Sequence, residues 1–207
     1  MQIEGIDLEK LKDNFQKRRV EVVFFNTFNK AKDYLIDEIP VEATVGIGNS
    51  RTLKNMKITQ SLVDRGNIVF DKTFGKDKDE IVAIKKKALL TDFYISSSNA
   101  VSEDGRIVNI DHSGNRVAAL IYGPDRVLII VGRNKITKTH QEALYRARNE
   151  ASPKNAIRAG YNPTCVGTSI CVDCLSDERV CYAVSIIEGQ HEKNRMTLVI
   201  VDEAAGF

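Results

Sequence analysis

The stretch DFYISSSNAVSEDGRIVNIDHSGNRVAALIYGPDRVLIIVGRNK, residues 92–135, decides how this chain folds. It opens with the apolar run FYI at 93–95 and closes with VLIIV at 127–131. Neither run alternates with polar residues, the pattern of strands covered on both faces of a sheet. Between them lie small polar residues, SSSN at 96–99, where a buried strand would otherwise continue. In open α/β sheets ligands bind beyond the carboxyl ends of the strands, so polar residues at that place are candidates for a site. Glu103-Asp104-Gly105 follows, and its Asp-Gly step marks a tight turn with φ > 0. RIVNI at 106–110 reads as the returning strand, and DHSGNR at 111–116 as a second polar turn.

Working outward, the same alternation of strand and helix continues. Upstream, Ile6, Leu8, Leu11 and Phe15 sit at helical spacing. Residues 21–25 form an apolar strand, and Asn26-Thr27 caps a helix over 28–39 that Pro40 ends. A strand over 44–48 enters a glycine turn, Ser50 starts a helix that stops at Gly66, and residues 67–70 and 79–90 give a further strand and helix. Downstream, a helix runs from 139 to about 151 and Pro153 starts another turn; the tail then carries four cysteines and two strands, 182–187 and 197–201. This order predicts an α/β fold of three layers, with a mainly parallel central sheet, helices on both faces, a Cys-rich C-terminal segment and terminal strands. One domain is expected over 1–207, with a helix–strand–helix opening at 1–40, a core at 41–160 and the Cys-rich tail at 161–207.

Composition narrows the function classes. The 207 residues are 43% hydrophobic and 28% charged, ordinary for a globular protein. A formal net charge of +2 gives no electrostatic reason to expect nucleic acid. No run approaches the roughly 18 apolar residues of a membrane span, and the first residues lack the apolar core of a signal peptide. A cytoplasmic location is the expectation, and a homodimer the expected assembly.

The glycine turn, GIGNSRT at 46–52, follows a strand and opens a helix. Glycines allow close backbone approach, and a helix N-terminus offers N–H groups to an anion. The turn is no dinucleotide fingerprint, because Arg51 stands where G-x-G-x-x-G needs its third glycine, so NAD is not expected. It also lacks the Gly-Lys-Ser/Thr ending of a P-loop. A tight strand–helix turn with Ser50 as its cap accounts for the same residues without any ligand. Glu103 or Asp104 would serve as general base or nucleophile if buried beside this turn; the alternative is hairpin chemistry for Asp104-Gly105 and a solvated charge for Glu103. His112, in the polar turn, is a candidate proton shuttle.

With GIGNSRT at 46–52, SSSNAVSEDGRIVNIDHSGNRVAALIYGPDRVLIIVGRNKI at 96–136 and the cysteine tail from Pro163 to Cys181 assembled, the chain resembles the LUD-domain, or lactate-utilisation, family. That family is similar in fold to ribose-5-phosphate isomerases and CoA transferases. The resemblance implies that Gly46, Gly48, Asn49, Ser50 and Thr52 hold an anionic group bearing phosphate, carboxylate or CoA. It places Asn99, Glu103, Asp104 and Asn109 on the same cleft, with Glu103 and Asp104 as the reacting carboxylates. It also implies a link to bacterial lactate and organic-acid metabolism beside an iron–sulfur oxidoreductase partner.

The cysteines give a second reading from a different class. Cys165, Cys171, Cys174 and Cys181 are every cysteine of the chain, gathered in 17 residues as C-x5-C-x2-C-x6-C. Such clustering in a reducing compartment favours metal over disulfides, with zinc or a 4Fe–4S cluster as the candidates. Unligated thiols remain the alternative, since only one C-x2-C pair is present. On this reading the protein is a redox-responsive or iron–sulfur accessory component, and the cluster is its working part.

Overall fold

The computed structural model describes residues 3–207. Helix α1 (Leu8–Lys17) starts at Asp7, whose carboxylate accepts the Lys10 N–H, and it turns Leu11 and Phe15 inward. Strand β1 (Val20–Phe25) leads to α2 (Phe28–Glu38), capped by Thr27, and then to β2 (Thr44–Ile47). The helix expected between Ser50 and Gly66 is two helices, α3 (Arg51–Met56) and α4 (Ile58–Arg65). Lys57 separates them in the left-handed conformation, φ 53°. Next come β3 (Ile68–Asp71), α5 (Lys78–Lys87), β4 (Phe93–Ser96), β5 (Ala100–Ser102) and β6 (Ile107–Asp111). The polar turn after β6 runs into a helix missing from the sequence reading, α6 (Asn115–Ile121). Its seven residues are too few to show a periodic signal. Strands β7 (Arg126–Gly132) and β8 (Ile136–Thr137) follow, then α7 (His140–Arg146), which passes through a π-helical turn into α8 (Ser152–Ala159). A short α9 (Thr164–Thr168) lies in the cysteine segment, followed by β9 (Ala183–Ile187) and β10 (Met196–Val201).

The main sheet has six strands in the order β1-β10-β7-β4-β2-β3, all parallel. Its central strands explain the unbroken apolar runs, because successive side chains point to opposite, equally dry faces. From β7, Val127, Ile129 and Val131 enter one core with Leu11, Phe15 and Leu120. Leu128 and Ile130 enter a second core with Leu35, Leu53 and Leu62, on the side covered by α2, α3 and α4. Strand β4 divides the same way, Tyr94 to the first core and Phe93 and Ile95 to the second.

A smaller sheet, β8-β5-β6-β9, lies on the α1 side of the main sheet. Val101, Ile107 and Ile187 face the first core, while Ala100, Val108 and Ile110 pack with Ala143 and Ala147 at the α7 end. The two tail strands therefore part company. β9 joins the small sheet, whereas β10 sits inside the main sheet between β1 and β7. Every residue of β10 is buried, as its sequence MTLVIV requires. Among the described residues no helix is long and apolar enough to cross a membrane.

Candidate functional site

Because the main sheet is parallel, its carboxyl-end loops gather at one edge. They bring Asn49, Ser50 and Arg51 after β2, Lys72 after β3, Ser97, Ser98 and Asn99 after β4, and Lys135 after β7 to a cleft of about 190 Å3. Asp111, His112 and Arg116 from the polar turn, Arg158 from α8 and Phe207 complete the wall. Of the residues expected at the site, Asn49, Ser50, Asn99 and the candidate proton shuttle His112 line this cleft.

The glycines serve packing. A Cβ on Gly48 would lie 2.6 Å from Ser96 Oγ, and one on Gly46 2.6 Å from Tyr94 Cδ2 and 2.8 Å from the Ala88 carbonyl oxygen. Close approach of β2 to β4 and the Ala88 turn, also seen in the 2.8 Å bond from Gly48 N–H to the Ile95 carbonyl, excludes any side chain there. Ser50 caps α3 by accepting the Leu53 N–H at 3.5 Å. The Asn49 Oδ1 atom is buried and has no hydrogen-bond partner among the described residues. Thr52 and Asn109, both fully buried, stand behind the lining and contact two cations.

Those two cations, with Lys72, Lys85 and Arg158 on the cleft wall, are residues that sequence reasoning missed. Arg116 is fixed by four acceptors: the Ser97 carbonyl at 3.0 Å, Asn99 Oδ1 at 2.9 Å, the Ile110 carbonyl at 2.8 Å, and Asn109 Oδ1. Asn99 and Asn109 thus position an arginine. Lys135 is 4% exposed and donates to Ser97 Oγ at 3.0 Å, the Ser98 carbonyl at 3.1 Å and Thr52 Oγ1 at 3.4 Å. All three acceptors are uncharged. Burial, with Arg146 and Arg116 nearby, pushes its pKa down to about 7. Lys72 is also lowered, by burial first and then by Lys85, Arg158 and Lys54. A signal existed in the polar GRNK after the central strand and in the Arg of DHSGNR, but nothing in the sequence tells a buried basic residue from a solvated one.

Arg51, Lys72, Lys85, Arg116, Lys135 and Arg158 face a cleft whose one acidic side chain among the described residues is the Asp111 carboxylate. That carboxylate is occupied with backbone: Oδ2 accepts the Arg116 and Val117 N–H groups and Oδ1 accepts that of His112. The arrangement is uncompensated positive charge in a semi-enclosed space, which favours a multiply charged anion. His112 packs its ring against Tyr161 and Tyr182, with centroids 5.5 and 5.6 Å away.

The hairpin carboxylates do not line the cleft. Glu103 lies at the far end of β5 from Asn99, roughly 13 Å along an extended strand. It is buried against α1, where it accepts the Asp7 N–H at 2.9 Å and Lys138 Nζ at 2.6 Å and pairs with Lys10 at 3.2 Å. Burial alone would raise its pKa, but these donors outweigh it and hold the carboxyl below its ordinary range. Asp104 is likewise tied, to Ser102, to Arg106 at 2.9 Å, and to the backbone and ring of His140. The Asp104-Gly105 step is the expected turn, with Gly105 at φ 88°.

The four cysteines are free thiols that line one small cavity of about 20 Å3. Cys165 is buried, and burial together with the other three sulfurs raises its pKa. Cys174 is lowered, chiefly by the Ser176 N–H, with Thr164 also donating. Arg148 reaches Cys171 Sγ at 3.7 Å. The donor set suits a thiophilic ion, yet among the described residues no three His, Cys, Asp or Glu side chains are gathered closely enough to hold one. Ile110 and Val180 form part of the wall of both this cavity and the basic cleft.

Fold and site together define a three-layer α/β protein with a basic cleft at the carboxyl edge of a parallel sheet. The chain belongs to the LUD domain family, whose sequence pattern matches residues 8–201. A solved structure described as a DUF162 family protein from Deinococcus radiodurans shares the fold, with a TM-score of 0.55 over 94% of this chain and 95% of that one, at 13% identity. No curated protein matches the sequence.

Proposed function

We propose that the protein binds a small, multiply charged anionic metabolite, carrying phosphate or carboxylate groups, in the basic cleft. The observation that carries this reading is six basic side chains facing a cavity whose single acidic side chain among the described residues is spent on capping α6. The organic-acid link implied by the family resemblance agrees with such a ligand, and so does the buried, unpartnered Asn49 Oδ1, which needs a donor from a ligand or water. Thermal unfolding in the presence of inorganic phosphate, citrate, lactate and CoA tests it. A ligand at a hundred times its Kd adds about 2.7 kcal/mol of stability, an easily read rise in Tm. Arg158→Ala and Lys72→Ala, which disturb little internal bonding, should weaken that rise. No rise with any anion, or one unchanged in both variants, defeats the reading.

A second reading rests on a separate observation, that all four cysteines of the chain border one cavity. We propose that Cys165, Cys171, Cys174 and Cys181 close on zinc or an iron–sulfur cluster, the latter suited to an iron–sulfur oxidoreductase partner. Zinc would draw the sulfurs to about 2.3 Å from the ion. Metal, iron and sulfide analysis of anaerobically purified protein decides it, with Cys171→Ser and Cys174→Ser expected to lose the metal. Metal-free wild-type protein that stays metal-free on anaerobic loading with zinc or iron refutes it.

A further inference from the structure

The position of Lys135 goes further than its charge. Its amine is held in place by Thr52 in the first turn of α3 and by Ser97 and Ser98 in the loop after β4. Among the described residues no carboxylate pairs with it, and the cations Arg116 and Arg146 flank it. The charge needed to hold an anion is available elsewhere in the cleft, on Arg116, Arg158, Lys72 and Arg51. We propose that the Lys135 amine is a nucleophile that forms an imine with a carbonyl group of the cleft's anionic ligand, so that the substrate class is an oxo acid or a sugar phosphate with a free carbonyl. This rests on the anion-binding reading and names the substrate class within it.

The step balances with the groups present. The Lys135 lone pair attacks the carbonyl carbon, forming the C–N bond while the C=O π pair moves to oxygen. One amine proton passes to that oxygen, with the Ser97 and Thr52 hydroxyls placed to relay it. The nitrogen lone pair then expels the hydroxyl, which leaves as water with a proton from solvent, and a protonated imine remains. Only an uncharged amine can begin this sequence. Burial among neutral acceptors beside two arginines supplies one near neutral pH.

Reductive trapping tests the proposal. Wild-type protein is treated with glyoxylate, a minimal aldehyde bearing a carboxylate, and cyanoborohydride at pH 7, and the adducts are mapped by peptide mass spectrometry. An exposed lysine with its ordinary pKa is uncharged in only about one molecule in a few thousand at that pH. The expected result is modification at Lys135 at least about tenfold faster than at surface lysines such as Lys30 and Lys154. Inorganic phosphate should slow it, and Lys135→Arg should abolish it. Lys135→Met serves as the second variant if the arginine does not fit. Thermal shifts with phosphate are read in parallel. Phosphate binding with Lys135 unmodified, or modified no faster than the surface, overturns the imine while leaving the anion reading intact. Trapping at Lys135 without any phosphate shift or protection supports the nucleophile and defeats the anion reading instead.

Discussion

Replacing Glu103 by alanine should cost stability and leave the cleft untouched. The carboxylate is 1% exposed as a residue and accepts from three donors. Its bond from the Asp7 N–H is charge-assisted and part-buried, worth about 1.5–3 kcal/mol. The Lys138 and Lys10 side chains are 48% and 61% exposed, so solvent screens those pairs to about 0.5 kcal/mol each. The total is about 2.5–4 kcal/mol, the cost of undocking the start of α1 from the β5–β6 turn. Glu103→Gln keeps the shape and one acceptor, and should lose roughly half as much. Because the folded pKa lies below the ordinary carboxylate value, this stabilisation is fully present above about pH 4.3 and is lost as pH falls through the folded pKa. Urea unfolding of wild type and both variants at pH 7 and pH 3.5 measures the gap, which should narrow in acid. A loss under 0.5 kcal/mol at pH 7, or anion binding abolished with stability unchanged, would refute the reasoning and return Glu103 to the chemistry.

Three further outcomes follow from the same physics. Lys135→Met should gain stability relative to wild type, most at pH 7 and below, with the gain vanishing by about pH 10.4. Lys135 has a folded pKa near 7, so between those values the unfolded chain holds the extra proton and wild-type stability climbs with pH; ligand-free unfolding across pH 6–10 checks the slope. Gly48→Ala should destabilise by about 1–3 kcal/mol, since its Cβ would meet both Ser96 Oγ at 2.6 Å and the Ile95 carbonyl oxygen at 3.3 Å; equal stability in urea would contradict that packing. In metal-free protein, iodoacetamide should alkylate Cys174 first and Cys165 last, because one thiol is lowered by backbone donors and the other is buried and raised. Time-resolved peptide mapping shows the order.

The sequence by itself determined the layers. FYI at 93–95 and VLIIV at 127–131 have no polar face, which only a doubly covered strand tolerates, and each splits its side chains between the two cores as that pattern demands. The same local information marked the carboxyl-edge loops, the Asp104-Gly105 turn and the clustering of cysteines. Tertiary structure decided the rest. MTLVIV at 196–201 reads as a buried strand like VLIIV, but its place between β1 and β7 depends on pairing with β7 across about 70 residues and with β1 across more than 170, which no local pattern encodes. Spacing leaves Glu103 open between base and surface charge, and the family resemblance places it on the cleft; Asp7 and Lys10 at α1, almost a hundred residues earlier, and Lys138 after β8 supply the donors that hold it elsewhere. Arg116 and Lys135 look like any solvated cation in the sequence. What sets them apart is enclosure, nearly complete for Lys135 and partial for Arg116, among Thr52, Ser97, Asn99 and Asn109, which come from separate elements to accept their hydrogen bonds without neutralising their charge.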